Sequence, residues 1–206
     1  MTPRDKILAR LQSARATATV PLAHAPALVT PSMHPIDACL PRFEAEAAAL
    51  GIECYVEHAP AAVRTRLATL VADRRVLSWR PEHVPYDAAT VLTDAAYGDA
   101  PLDEQRLAEV GVTGCDVAVA ETASCVMFSA PGRSRTVSLL PPFHIAVIKR
   151  SQLVFSMAEV FEGHKSRFRE TASCTVVTGP SRTADIELTL TLGIHGPGRV
   201  AVIIGP

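Results

Sequence analysis

Three short stretches carry residue types suited to chemistry. Glu121-Thr122-Ala123-Ser124 sets a carboxylate beside two hydroxyls, between apolar runs. Glu121 is a candidate base, nucleophile or acyl acceptor, and Thr122 and Ser124 can hold anionic oxygen. The competing reading is a polar turn that closes a hairpin. Gly132-Arg133-Ser134-Arg135 follows a proline and offers two guanidiniums, the side chain best matched to carboxylate or phosphate. A solvated turn is its plainer reading. Gly179-Pro180-Ser181-Arg182-Thr183 adds hydroxyls, a guanidinium and exposed backbone donors, with Asp185 and Glu187 placed to orient Arg182. Arg182 is the best carboxylate clamp in the chain. His195, just before Gly196-Pro197-Gly198, is a candidate proton acceptor or the residue that fixes that turn. His144, after Pro141-Pro142-Phe143, reads more readily as a structural hydrogen bond than as a catalyst.

Familiar catalytic patterns are missing around these residues. There is no phosphate-loop lysine and no GxGxxG. Glu121 has no second carboxylate at a defining distance, and no strained elbow presents a serine for a triad. The cysteines at 39, 54, 115, 125 and 174 include no CxxC pair, so local iron-sulfur and zinc signatures are absent. His24 and His34 lie in a proline-rich arm without ligand spacing. No metal site and no intrinsic cofactor are expected.

The elements that must position these residues alternate. A helix over 4–16 carries Ile7, Leu8 and Leu11 on one stripe, and an extended arm with four prolines follows. Helix 40–50 ends at Gly51, strand 52–56 follows, Pro60 opens helix 61–72, and strand 76–79 comes next. A short helix fits 103–110. Segments 116–120, 125–129, 135–140 and 144–148 read as strands, giving a mixed sheet or a parallel sheet with an antiparallel hairpin. A helix over 156–168 is weakened by Gly163, and strands 174–178 and 200–204 bracket the last polar stretch. Within it, Ile186 to Leu192 alternates like a strand, while Ser181 or Thr183 followed by acids reads as a capped helix. The expectation is a short helix near 183–192. The whole is an α/β fold, with residues 1–38 as an N-terminal helix and arm and 39–206 as the main domain.

A net charge of −1 supplies no basic field for nucleic acid or an anionic membrane. No apolar run has transmembrane length, and no secretory pattern opens the chain. These features point to a cytoplasmic protein.

The blocks GVTGCDVAVAETAS, SLLPPFHIAVI and GPSRTADIELTLTLGIHGPG resemble the lactate-utilisation, or LUD, domain family, especially its lactate utilization protein C group. The resemblance is strong over 103–206 and weaker across the rest. It implies a three-layer, Rossmann-like sheet related to the sugar-phosphate isomerase and CoA-transferase superfamily. It also implies participation in oxidising L-lactate to pyruvate with iron-sulfur partner proteins, which would carry the clusters. The matching Glu121, Thr122, Ser181, Arg182, Thr183, Asp185 and His195 define a family-like polar surface. The family commonly has glycine where this chain has Ala123. Because the chain lacks a local electron-accepting motif, the leading expectation is an accessory or assembly subunit that binds lactate, pyruvate or a partner. The alternatives are an independent isomerase or CoA-transferase-like enzyme using Glu121, and a regulatory binding module.

Overall fold

The computed structural model describes residues 2–17, 35–184 and 190–206. They fall into two units, residues 1–30 and 31–206. In the first, α1 (Pro3–Thr17) begins at Thr2, whose hydroxyl accepts from the Asp5 N–H while the Asp5 carboxylate takes the Thr2 N–H. This reciprocal pair satisfies donors that a helix start leaves open. Ile7, Leu8 and Leu11 are exposed on it.

The second unit opens with α2 (Ile36–Leu50), which buries Cys39, Leu40, Phe43 and Ala47 on one face. Gly51 ends it at φ 74°, and the Ile52 N–H returns to the Ala47 carbonyl at 2.8 Å. That left-handed residue with a backward bond is the geometry glycine permits. β1 (Glu53–Val56) follows, then α3 (Pro60–Val71) with proline in its first turn and Val63, Leu67, Leu70 and Val71 buried. Next come β2 (Val76–Ser78), β3 (Ala96–Tyr97), α4 (Leu102–Arg106) and β4 (Val110–Thr113). α4 stops short of the expected 110 because Val110 joins the sheet. β5 (Val117–Val119) and β6 (Ser124–Phe128) form a hairpin. α5 (Thr136–Leu139), β7 (Phe143–Lys149), β8 (Leu153–Val154), α6 (Met157–Gly163), α7 (Lys165–Glu170), β9 (Cys174–Val177), β10 (Arg182–Ala184), β11 (Leu190–Leu192) and β12 (Arg199–Gly205) complete the order.

The expected helix 156–168 is broken at His164 into α6 and α7, and two further stretches take another structure than the one expected. Residues 135–140 are not a strand: α5 turns there, with the Val137 carbonyl lying directly over Gly111. A β-carbon at Gly111 would sit 1.9 Å from that oxygen, so only glycine admits the crossing. Nor are the described ends of 183–192, residues 183–184 and 190–192, helical. β10 and β11 pair antiparallel, Arg182 opposite Leu192, and the Gly193 N–H closes the ladder on the Ser181 carbonyl at 2.9 Å. The alternation of Leu190 and Leu192 with threonine outweighs the capping signal.

Among the described residues, the antiparallel strand pairs all lie outside the large sheet. The large sheet has the order β1-β12-β7-β4-β2-β3 and is parallel throughout. A smaller one, β8-β5-β6-β9, mixes both directions, and β10-β11 stand as a pair. Successive residues of β7 and β12 feed opposite cores. Ile145, Val147, Ala201 and Ile203 meet α3, while Ala146, Ile148, Val200, Val202 and Ile204 meet α2 and the inner face of the small sheet. Burial on both faces explains why these strands read as unbroken apolar runs. A buried side chain such as Phe43 contributes on the order of 2–3 kcal/mol. The outer face of the small sheet packs Val117, Val119, Val126 and Phe128 on Val160 of α6.

Candidate functional site

The hairpin of β5 and β6 decides where the polar residues go. Ala120–Thr122 make one 3-10 turn, and Ala123 takes φ 47°, a left-handed position that costs an alanine about 1–2 kcal/mol. The turn aims Glu121 at the start of α6. Its carboxylate accepts the Met157 N–H at 2.9 Å, and its own N–H donates to the Phe155 carbonyl. Beside it runs a chain of hydroxyls. Thr122 and Ser124 lie 2.8 Å apart, and Ser124, buried, meets Thr178 at 2.6 Å. That last contact extends the β6–β9 ladder and ties the first polar block to the start of the last one.

Beyond Thr178, the chain passes over the end of α2. Arg182 donates to the Leu50 carbonyl, one of the acceptors a helix C-terminus leaves open. The clamp expected for a carboxylate thus caps a helix. Ser181 braces the following loop from both sides: its N–H donates to the Pro197 carbonyl at 2.8 Å and its carbonyl accepts the Gly193 N–H. His195 is exposed on the loop so held. Asp185 and Glu187 lie outside the described residues, and Thr183 is placed by backbone only, in β10. Substituting Arg182 by glutamine should lower stability by about 0.3–1 kcal/mol, the worth of a cation at a helix C-terminus. Urea unfolding at neutral pH measures this, and an unchanged midpoint would show that the cap contributes nothing.

Arg133 and Arg135 are elsewhere. Glu121 and Ser124 lie at one end of the β5–β6 hairpin, and Asp116, which Arg133 grips, lies at the other. The five residues of β6 separate the ends by roughly 13 Å. Asp116 is the hub of this second cluster. It accepts from both terminal nitrogens of Arg133, from Arg167 at 3.1 Å and from the Phe128 N–H at 2.8 Å. Arg133 also stacks over Trp79, 4.4 Å from the ring centre, and Arg167 over Phe128 at 4.9 Å. Burial pushes the Asp116 carboxyl up. The Arg133 hydrogen bonds, the Phe128 N–H and the two guanidinium charges outweigh it, and hold the group below the ordinary 3.8. Asp116, Arg167 and Thr178 carry no local motif, so spacing along the chain does not single them out.

The histidine of the middle block is structural. His144 is fully buried between the sheets, with its Nε2 2.9 Å from the Thr113 hydroxyl, which is 3.5 Å from Met127 Sδ. Desolvation alone lowers its pKa to about 4. The neutral tautomer protonated on Nε2 puts both hydrogens to use and leaves only a lone pair on Nδ1 without a protein partner.

All five cysteines are free thiols. The Cys115 thiol donates to the Val117 carbonyl at 2.9 Å, and both Cys115 and Cys54 are near enough to feel Cys125. Burial pushes Cys54 up to about 12 and Cys115 well above the ordinary thiol range, the opposite of what a thiolate ligand needs. Among the described residues, no three His, Cys, Asp or Glu side chains come together as a metal site.

The model of the LUD domain matches residues 101–204, the span that holds both polar clusters. The chain belongs to the LUD-domain family. Curated LUD relatives include lactate utilization protein C of Exiguobacterium sp., 36% identical over 64% of this chain and 58% of its own length. The protein of the same name from Deinococcus radiodurans is 37% identical over 64% of this chain and 62% of its own. That from Bacillus subtilis is 35% identical over 54% and 48%. The chain thus spans about half the length of the curated LUD relatives it matches. The crystal structure of a DUF162 family protein from Deinococcus radiodurans is also similar, with a TM-score of 0.69 and 28% identity over 84% of this chain and 99% of that one. The described part of this LUD chain has no helix long and apolar enough to cross a membrane.

Proposed function

We propose that this LUD protein is an accessory or assembly subunit of an iron-sulfur-dependent system that oxidises L-lactate to pyruvate. The observation that carries the reading is its similarity to proteins named for lactate utilization. Oxidising lactate at C2 releases two electrons and two protons. The cysteine spacing of this chain offers no cluster motif for the electrons, so iron-sulfur partner proteins would accept them. The polar surface from Glu121 through Thr178 to Ser181 and His195 would then dock a partner or hold substrate. Glu121 and His195 are its groups able to move a proton.

The parallel sheet with its flanking helices and second sheet favours kinship with the sugar-phosphate isomerase and CoA-transferase folds, read as a three-layer, Rossmann-like core. We place the N-terminal helix and arm, 1–38, apart from the LUD-like body, 39–206, and the protein in the cytoplasm.

Reconstitution tests the role. The chain is purified with its native partners, and lactate-dependent electron transfer is followed with and without it. The expectation is that omission lowers turnover at least tenfold. A full rate without the chain, or no complex at all, rules the role out. His195→Gln, on an exposed loop, separates two versions of it. Lost turnover in an intact complex places proton or substrate handling at the loop, whereas a lost complex makes the loop a docking element.

A further inference from the structure

The Arg133 end of the hairpin has a property that the Glu121 end lacks. Two guanidiniums, those of Arg133 and Arg167, converge on the single carboxylate of Asp116. A third, that of Arg135, lines the same small chamber as Arg133. The cluster therefore carries excess positive charge around a largely buried site. The Arg133 side chain is only 10% exposed, and its Nε is buried without a protein hydrogen-bond partner. A buried N–H of this kind costs stability unless an acceptor meets it.

The chamber is shaped for one acceptor atom. It measures about 10 Å³, room for a single oxygen, and Ser129, Ser138 and Thr175 line it together with the arginines and Trp79. A second, more open space of about 350 Å³ is lined by Ser134, Arg135, Thr136, Leu139 and Leu140. Arg135 lines both spaces. Leu139 and Leu140 are 45% and 41% exposed, apolar surface in the space that Arg135 also lines. A chamber for one oxygen, an arginine shared by both spaces and exposed leucines in the larger one define an amphipathic anion with a small head.

We propose that this end of the hairpin binds a short-chain monocarboxylate. One carboxylate oxygen enters the small chamber to accept from Arg133 Nε, the other accepts from the Arg135 guanidinium, and the hydrocarbon end lies on Leu139 and Leu140. The planar head suits two guanidinium donors, whereas a phosphate would leave oxygens against the leucine wall. The site is independent of the role proposed for the Glu121–His195 surface, about one strand length away.

Trp79 provides the readout. It is the only tryptophan of the chain, it lies beneath Arg133, and its ring N–H donates to the Ser134 carbonyl. The full chain is titrated at fixed ionic strength with propionate, L-lactate, inorganic phosphate and, as a neutral isostere, propionamide, while Trp79 emission is recorded. Propionate and lactate should give a saturable change and propionamide none. Arg135→Gln, at an exposed position, should weaken the response at least tenfold, and Arg182→Gln should leave it unaltered. Leu139→Gln should weaken propionate more than acetate. No saturable change, an equal response to propionamide, tighter binding of phosphate than of propionate, or an unaltered response in Arg135→Gln each overturns the proposal. A failed titration alongside successful reconstitution removes this site and leaves the accessory role standing; the reverse pair of results does the opposite.

Discussion

Replacing Asp116 with alanine should cost about 3–5 kcal/mol, the penalty for removing one partner of a buried ion pair. The carboxylate and the Arg133 side chain are each 10% exposed, so water cannot take over the lost contacts. The variant leaves Arg133 confined over Trp79 and leaves the Phe128 N–H without its acceptor. Arg167, at 37% exposure, can turn toward solvent and adds less. Asp116→Asn keeps an acceptor but not the charge and should fall between. Replacing Asp116 and Arg133 together by leucine and methionine should recover most of the loss, because the penalty comes from an orphaned charge rather than from the pair's own strength. Urea unfolding with an unchanged slope measures all three, and an alanine variant within 1 kcal/mol of the parent would sink the argument. The ion pair also sets an acid limit. The Asp116 carboxyl titrates below the ordinary 3.8 in the folded chain, so its stabilisation is complete above about pH 4 and is lost as pH falls through the folded value.

The same cluster shows what can be read from the sequence. Helix ends with a local chemical cause are legible. Pro60 opens α3 and Gly51 closes α2 where their conformational preferences place them. Strands buried on both faces, β7 and β12, are legible as apolar runs. Long-range partners are not. Asp116 meets Phe128, Arg133 and Arg167 at separations of 12, 17 and 51 residues, and nothing in its neighbourhood announces them. Glu121 and Arg133 look like members of one polar region because they are close in the chain. An intervening strand carries them to opposite ends of a hairpin. The segment from Arg182 to Leu192 misleads for a related reason. Capping residues and alternation compete over a few positions, and the deciding bond, from Gly193 back to Ser181, is invisible until the ends meet. Ala123 is the instructive exception. The resemblance implies glycine at that position, and the backbone takes the left-handed conformation that glycine favours even with alanine in place.

Between pH 6.5 and 4 a different group governs stability. His144 is neutral in the folded chain, with its pKa lowered from 6.5 to about 4 by desolvation. Above pH 6.5 neither state binds a proton there, and the histidine contributes no pH dependence. As pH falls below 6.5 the unfolded chain takes up the proton first, so the folded state loses about 1.4 kcal/mol per unit, roughly 3 kcal/mol by pH 4. Below that value the folded ring also protonates and the loss levels off, just where the Asp116 pair begins to titrate. One pH series of urea unfolding therefore separates the two groups by window. The variant that isolates His144 must not leave Thr113 buried without a partner, since an orphaned hydroxyl would add its own penalty. Thr113→Val combined with His144→Leu removes both sides of the 2.9 Å contact and puts apolar groups of similar shape beside Met127. It should stay within about 1.5 kcal/mol of the parent at pH 7, the usual tolerance for shape-conserving core changes. Its slope between pH 6.5 and 4 should flatten by about 1.4 kcal/mol per unit, while the fall below pH 4 remains. A parent protein with level stability from pH 6.5 to 4.5, or a double variant that keeps the parent's slope, would show that His144 is hydrated or protonated in the folded state and that the space between the sheets is wetter than its packing indicates.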